Sequence, residues 1–424
     1  MFEAPDPLIQ RRALALAERR LAAARAIVVN GPRQSGKTAL LGLLHAIHGG
    51  TYVSLDSPVE LASALDDPTG FVTGSDEPLS IDEVQRGGDA LVRAIKLEID
   101  RSSRRGRFVL AGSTRFLTEP RIAESLAGRV RFVDLWPLSQ GEIDGAPDGF
   151  VDVAFSDPSS LHAPVADPLS RAAVFERVCR GGFPEAVLAE TPRDRTEFLI
   201  DYARTITQRD IRELVDLQQV TRLRDLLRLL AARTGTELNV ADLGRQVGIP
   251  TPTLTRYLPL FETIYAYHAI PAWSRNLTSK AVRRPKLHMI DSGLAAALLG
   301  IDANALARPT ATYAGQLLES FVAGEIARQL TWSETAATLY HWRDRDGPEV
   351  DLLLEAADGR IVAIEVKAAV DVNDRAFSAL RLLRDRLGDQ LVAGVVLHCG
   401  DRPRSFGPRM HALPIATLWA AGDR

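Results

Sequence analysis

Cysteine is nearly absent: Cys179 and Cys399 are the only two in 424 residues. Neither belongs to a Cys-x-x-Cys pair, which excludes a disulfide framework and a cysteine-based zinc site and predicts a reducing compartment. Long hydrophobic runs are missing as well. The stretch Leu391 to Leu397 falls far short of the roughly 20 apolar residues that a membrane helix needs. The polar start, Glu3 to Arg12, has no signal-peptide core, so the expectation is a cytoplasmic chain with no membrane partner. Charge of one sign is lacking too. A net charge of −3 excludes a wholly basic nucleic-acid coat while leaving room for a local basic face. Lysine is scarce (Lys37, Lys96, Lys280, Lys286 and Lys367), so nearly all positive charge is arginine and each lysine invites a reason. There is no internal repeat and no heptad run.

What is present is ordinary globular material, 46% hydrophobic and 25% charged, in a chain long enough for two to four domains. The first part alternates apolar strand-like runs (Ala26 to Asn30, Thr51 to Leu55, Pro78 to Ile81, Arg107 to Ala111) with helical stretches such as Thr38 to Ile47. That alternation predicts an α/β fold with a parallel sheet covered on both faces. Gly, Pro, Asp and Ser dominate 137–170, which predicts a linker or inserted loop. Helical periodicity resumes over 171–235, a compact block covers 236–312, and 313–424 reads as a second mixed α/β domain with strands at 339–342, 350–355, 360–366 and 391–397. The partition is therefore 1–136, 137–170, 171–235, 236–312 and 313–424.

Gly31, Pro32, Arg33, Gln34, Ser35, Gly36, Lys37 and Thr38 fit G-x-x-x-x-G-K-[ST] between a buried strand and a helix, the context that a P-loop requires. Backbone N–H groups and the helix N-terminus would cradle phosphate. Lys37 would reach the β- and γ-phosphates of ATP, and Thr38 would ligate Mg²⁺. Leu79-Ser80-Ile81-Asp82-Glu83 is the expected partner strand. Asp82 would hold Mg²⁺ through water, and Glu83 would act as general base on the attacking water.

Asn239 to Val247, the turn Gly248-Ile249-Pro250, and a second helix opening at Thr251-Pro252 form a helix-turn-helix pattern. The second helix would bury Leu254, Tyr257 and Leu258 and present Thr253, Thr255 and Arg256 to DNA. A wing is expected between Phe261 and Asn276, with Lys280, Arg283, Arg284 and Lys286 as phosphate contacts. Further on, Asp351 on one strand precedes Glu365-Val366-Lys367 on the next, the PD-(D/E)xK nuclease arrangement. Glu365 and Lys367 would share a face. Asp351, Glu365 and Glu319, from the preceding helix, would form an oxygen site for Mg²⁺ or Mn²⁺.

Taken together, Gly31 to Thr38, Ser54-Leu55-Asp56, Ile81 to Gln85, Ala111-Gly112-Ser113, Ser125 to Arg129, Gly181 to Glu185 and Asp291 to Leu294 resemble a group of prokaryotic AAA-type ATPases. These carry a winged helix and a C-terminal nuclease-like domain, and related ATPases belong to the signal-transduction (STAND-like) branch. The resemblance implies that Ser113 or Thr114 senses the γ-phosphate at the end of a strand lying between the two Walker strands. It also implies a homo-oligomer in which Arg129 is a trans-acting arginine finger, with Arg115, Arg121 and Arg131 as alternatives. The leading functional expectation is a DNA-binding ATPase that remodels or translocates on duplex or branched DNA. The alternatives are an ATP-gated, metal-dependent nuclease and a nucleotide-switched regulatory or defence protein with a protein partner.

Overall fold

The computed structural model of the chain describes residues 9–112, 128–211, 220–275, 284–344 and 347–422. It divides into two compact units: Met1–Pro137 with Thr263–Tyr265, and the remainder from Leu138 to Arg424.

In the first unit, α1 (Ala13–Ala23), β1 (Ala26–Asn30), α2 (Lys37–His48), β2 (Thr51–Ser54), α3 (Pro58–Asp66), α4 (Pro68–Thr73), β3 (Leu79–Asp82), α5 (Gly88–Arg101), β4 (Phe108–Ala111) and β5 (Val130–Asp134) follow in order. The strands form one parallel sheet in the order β2-β3-β4-β1-β5. Every residue of β1 is buried, and its side chains alternate between two cores. Ala26 and Val28 join Leu79, Ile81, Phe108 and Leu110 under α3 to α5. Ile27 and Val29 join Leu40, Leu41, Leu44 and Val109 under α1 and α2. A two-sided sheet leaves no polar face, so its strands read as unbroken apolar runs, and each fully buried Val, Ile or Leu contributes about 1.5–3 kcal/mol.

The second unit opens with α6 (Gln140–Asp144) and α7 (Phe150–Ser156). The linker expected over 137–170 is therefore a folded segment. Its Ser139 closes a capping box with Glu142, and Phe150, Val151, Ala154, Phe155 and Leu161 are buried. The turn-forming residues here cap and separate two short helices. α8 (Arg171–Arg180), α9 (Pro184–Leu188), α10 (Pro192–Thr205) and α11 (Val220–Ala232) come next.

A compact block then runs β6 (Thr236–Glu237), α12 (Val240–Val247), α13 (Thr251–Thr263), β7 (Tyr267–Ile270) and β8 (Lys286–Met289), with an antiparallel sheet ordered β6-β8-β7. After α14 (Ser292–Leu299) and α15 (Ala303–Leu306), the long α16 (Ala314–Trp332) precedes β9 (Ala337–Arg343), β10 (Glu349–Ala356), β11 (Ile361–Lys367), α17 (Ser378–Leu387), β12 (Leu391–His398), β13 (Arg404–Ser405), β14 (Met410–Pro414) and α18 (Thr417–Ala420). These strands make a mixed sheet ordered β13-β14-β12-β11-β10-β9, antiparallel from β9 to β11 and parallel from β11 to β14.

α16 is buried nearly all round, polar residues included. Two of them meet the 137–170 segment: Gln140 N donates to Glu325 at 2.9 Å, Val151 N to Gln329 at 3.1 Å, and Gln329 Nε2 to Asp148 at 3.0 Å. A buried amide or carboxyl is tolerated only when it is paired in this way.

Candidate functional site: the nucleotide pocket and two further clusters

β1 leaves the sheet at Asn30, and the loop to Lys37 must pass close under β5. A Cβ at Gly31 would collide with the carbonyl oxygen of Leu135, so only glycine fits. Gln34 (φ 60°) and Gly36 (φ 94°) take left-handed conformations, which curl the loop. α2 then starts without a side-chain cap, leaving its first N–H groups to an anion. Lys37 is buried, its Nζ donating to the carbonyls of Gly31 (3.1 Å) and Pro32 (2.7 Å). Ser35 Oγ and Asn30 Oδ1 are buried with no hydrogen-bond partner among the described residues, as expected of a cradle built for a polyphosphate and its metal.

Across the loop, Thr38 Oγ1 donates to Asp82 Oδ2 at 2.6 Å, while Glu83 N donates to Asp82 Oδ1 at 3.0 Å. A hydroxyl and a carboxylate in contact are the hard oxygen donors that Mg²⁺ takes. Glu83 breaks from β3 with φ 52°, and its carboxylate is held by the Gln85 amide. Burial, and then the Asp82 carboxylate beside it, push the Tyr52 phenol well above its ordinary pKa. Tyr52 therefore remains a hydrogen-bond donor beside Asp82.

In the second unit, α12 is capped by Asn239, whose side chain accepts from Asp242 N at 3.2 Å, and ends on the left-handed Gly248 (φ 69°). α13 buries Leu254 and Leu258, with Tyr257 and Thr253 half-buried and Thr255 and Arg256 exposed. The expected wing departs from this pattern. Pro271 to Trp273 pair instead with β9: Trp273 N donates to His341 O at 2.7 Å and His341 N to Pro271 O at 3.0 Å. Trp273 sits in the core of the C-terminal sheet. Asn276, Lys280 and Arg283 lie outside the described residues. Lys286, expected to contact phosphate, is 4% exposed.

The third cluster explains where Lys286 goes. Its Nζ lies 2.9 Å from Glu319 Oε1 and 3.3 Å from Asp351 Oδ1. Asp351 Oδ2 accepts from Val366 N at 2.9 Å, and Lys367 Nζ sits 2.5 Å from Glu365 Oε1, as their shared strand face predicts. Burial pulls the Lys286 ammonium down, but Glu319 and Asp351 outweigh it and raise its pKa. Glu365 is pushed up to about 7, chiefly by burial and then by Asp351. Among the described residues no three His, Cys, Asp or Glu side chains gather to hold a metal ion. Of the expected set of Glu319, Asp351 and Glu365, the first two converge on Lys286 and the third pairs with Lys367.

Residues 23–144, which hold the whole nucleotide pocket described above, match the family described as AAA domain. Residues 23–144 are an AAA-type ATPase domain. Residues 171–305 and 314–418 match two families described as domains of unknown function (DUF8612 and DUF4143). Along 418 residues the chain is 28% identical to an uncharacterised protein of Mycobacterium tuberculosis, covering 98% of this chain and 86% of the relative. An uncharacterised protein of Mycobacterium bovis matches to the same extent. Among solved structures, a Walker-type ATPase of Pyrococcus abyssi is similar at 14% identity and a TM-score of 0.43, over 70% of this chain and 97% of that one.

In the AAA domain, β4 lies between β1 and β3, the position expected of the sensor strand. Ser113, Thr114, Arg115 and Arg121 lie outside the described residues. Arg129 is half-buried and meets Asp100 with two bonds, Nε to Oδ1 at 2.6 Å and one terminal nitrogen to Oδ2 at 3.2 Å.

Two residues of this pocket escaped sequence reading. Arg11, 7% exposed, reaches from before α1 to donate to Ser35 O and Trp136 O, each at 2.6 Å, and so clamps the P-loop against the end of the sheet. Tyr52 is the other. No motif marks either one; a lone arginine ahead of an amphipathic helix reads as solvated.

Proposed function

We propose that this chain hydrolyses ATP to ADP and phosphate and uses the cycle to remodel or move along duplex or branched DNA. The observation that carries the hydrolytic half is the contact of Thr38 with Asp82, at 2.6 Å, with Glu83 next in the chain. Thr38, and Asp82 through water, would hold Mg²⁺, which supplies charge neutralisation at the β- and γ-phosphates. Lys37 exchanges the carbonyls of Gly31 and Pro32 for phosphate oxygens. Glu83 takes the proton of the attacking water. In a homo-oligomer Arg129 would serve the neighbouring subunit's γ-phosphate, giving up its pair with Asp100 to do so.

The DNA half rests on the block of 220–289. Its order of helix, strand, two helices and two paired strands supports a winged-helix reading, and α13 leaves Thr255 and Arg256 exposed where a recognition helix would meet the major groove. ATP turnover measured alone and with duplex, single-stranded and four-way-junction DNA tests the reading. Stimulation that weakens steeply with salt supports it. Unchanged turnover together with no binding at low salt would refute it.

A further inference from the structure

The PD-(D/E)xK pattern of the C-terminal domain implies a divalent metal, and the structure places something else there. Glu319 of α16 and Asp351 of β10 point their carboxylates at one position, and the ammonium of Lys286 holds it at 2.9 and 3.3 Å. All three side chains are about nine-tenths buried or more. The lysine does not arrive on a loose tail. Lys286 opens β8, the central strand of its sheet, with its backbone in register with Glu237 on one side and Ile270 on the other.

The neighbouring strands are themselves tied to the C-terminal sheet. Pro271 and Trp273 exchange backbone bonds with His341, and Arg343 lies 3.4 Å from Glu237. Two further oxygens are committed: Asp351 Oδ2 to Val366 N and Glu365 Oε1 to Lys367. His288, two residues along β8, is fully buried, with Nδ1 3.0 Å from Ser320 Oγ and Nε2 3.8 Å from Glu319 Oε1.

The ammonium opposes a dication here, because a divalent ion at ligand distance from Glu319 and Asp351 would lie against the lysine charge. A Lys suits this place where an Arg would not: its ammonium is compact, whereas the guanidinium fork needs a planar partner. In a chain with five lysines, that choice has a physical reason.

We infer that Lys286 takes the place of the divalent cation in the nuclease-like centre, so that the acidic cluster joins β8 to α16 and β10 and binds no metal. The inference does not depend on the ATPase or DNA readings above. Its consequence is specific: neutralising Lys286 converts the cluster into a metal site, drawing on Glu319, Asp351 and the buried, unpartnered Glu365 Oε2.

Mn²⁺ binding to the nucleotide-free full chain, followed by electron paramagnetic resonance, tests this in wild type, Glu319→Gln, Lys286→Gln and Lys286→Gln/Asp351→Asn. The expected result is that Glu319→Gln binds as much Mn²⁺ as wild type. Lys286→Gln should bind one further ion, which the double variant loses. Wild-type binding that Glu319→Gln abolishes would overturn the inference. So would a Lys286→Gln protein that melts cooperatively and gains no ion. Should Lys286→Gln fail to fold, the comparison of wild type with Glu319→Gln still decides.

Discussion

Glu83 and Asp82 are adjacent carboxylates with different surroundings. Asp82 is 3% exposed and accepts from Thr38 and Glu83 N, so its oxygens are committed to the strand end and the P-loop. Glu83 turns out of the strand and is held by Gln85, as the base proposed above would be. Glu83→Gln should keep ATP affinity and lower single-turnover hydrolysis by about 10²-fold or more, the usual worth of a positioned base; nucleotide binding and a burst assay measure the two separately. Arg11 acts through the loop rather than on phosphate. Its two charge-assisted bonds to Ser35 O and Trp136 O are each worth about 1.5–3 kcal/mol. Arg11→Ala should therefore weaken ATP binding about tenfold or more and lower the nucleotide-induced shift in melting temperature, with Arg11→Lys restoring part of both.

At the scale of elements, α13 was legible because caps and apolar spacing are local. The Asn239 cap, the Gly248 stop and the buried Leu254 and Leu258 all lie within one stretch of chain. The wing was not legible, because Trp273 and Lys286 answer to His341, Glu319 and Asp351, which come more than thirty residues later. If α13 enters a groove, Arg256→Ala should weaken DNA binding and reduce the slope of log affinity against log salt by about one, as loss of one phosphate contact does; fluorescence anisotropy across a salt series checks this. α14 depends on Asp291, whose buried carboxylate accepts from Leu294 N at 2.8 Å and Gly182 N at 2.7 Å. Asp291→Ala strands both donors and should cost about 2–4 kcal/mol, read as a lower urea midpoint of the full chain.

For the molecule as a whole, the segment 137–170 also contributes a pH dependence. His162 Nε2 lies 2.7 Å from His411 Nδ1, and burial, with His162 second, lowers the His411 pKa to about 4. A folded pKa below the unfolded value means that the folded state resists protonation. This contribution is therefore intact above about pH 6.5 and is lost as pH falls through about 4. Allowing for partial solvent access, wild type should lose about 1–2 kcal/mol relative to His411→Gln between pH 7 and 4, measured as the difference between their urea midpoints at each pH.

The sequence by itself determined the nucleotide pocket and the strands around it. A phosphate cradle is built from consecutive residues, and a two-sided parallel sheet demands unbroken apolar runs such as Ala26 to Asn30. Tertiary structure alone decided the rest: that Glu325 and Gln329 of α16 find partners on the 137–170 segment, that Arg11 clamps the loop, and that Lys286 lies against Glu319 and Asp351. The physical reason is range. Backbone propensity and phosphate geometry act between neighbours in sequence, whereas the charge that a buried carboxylate meets is set by whichever strand folding brings alongside.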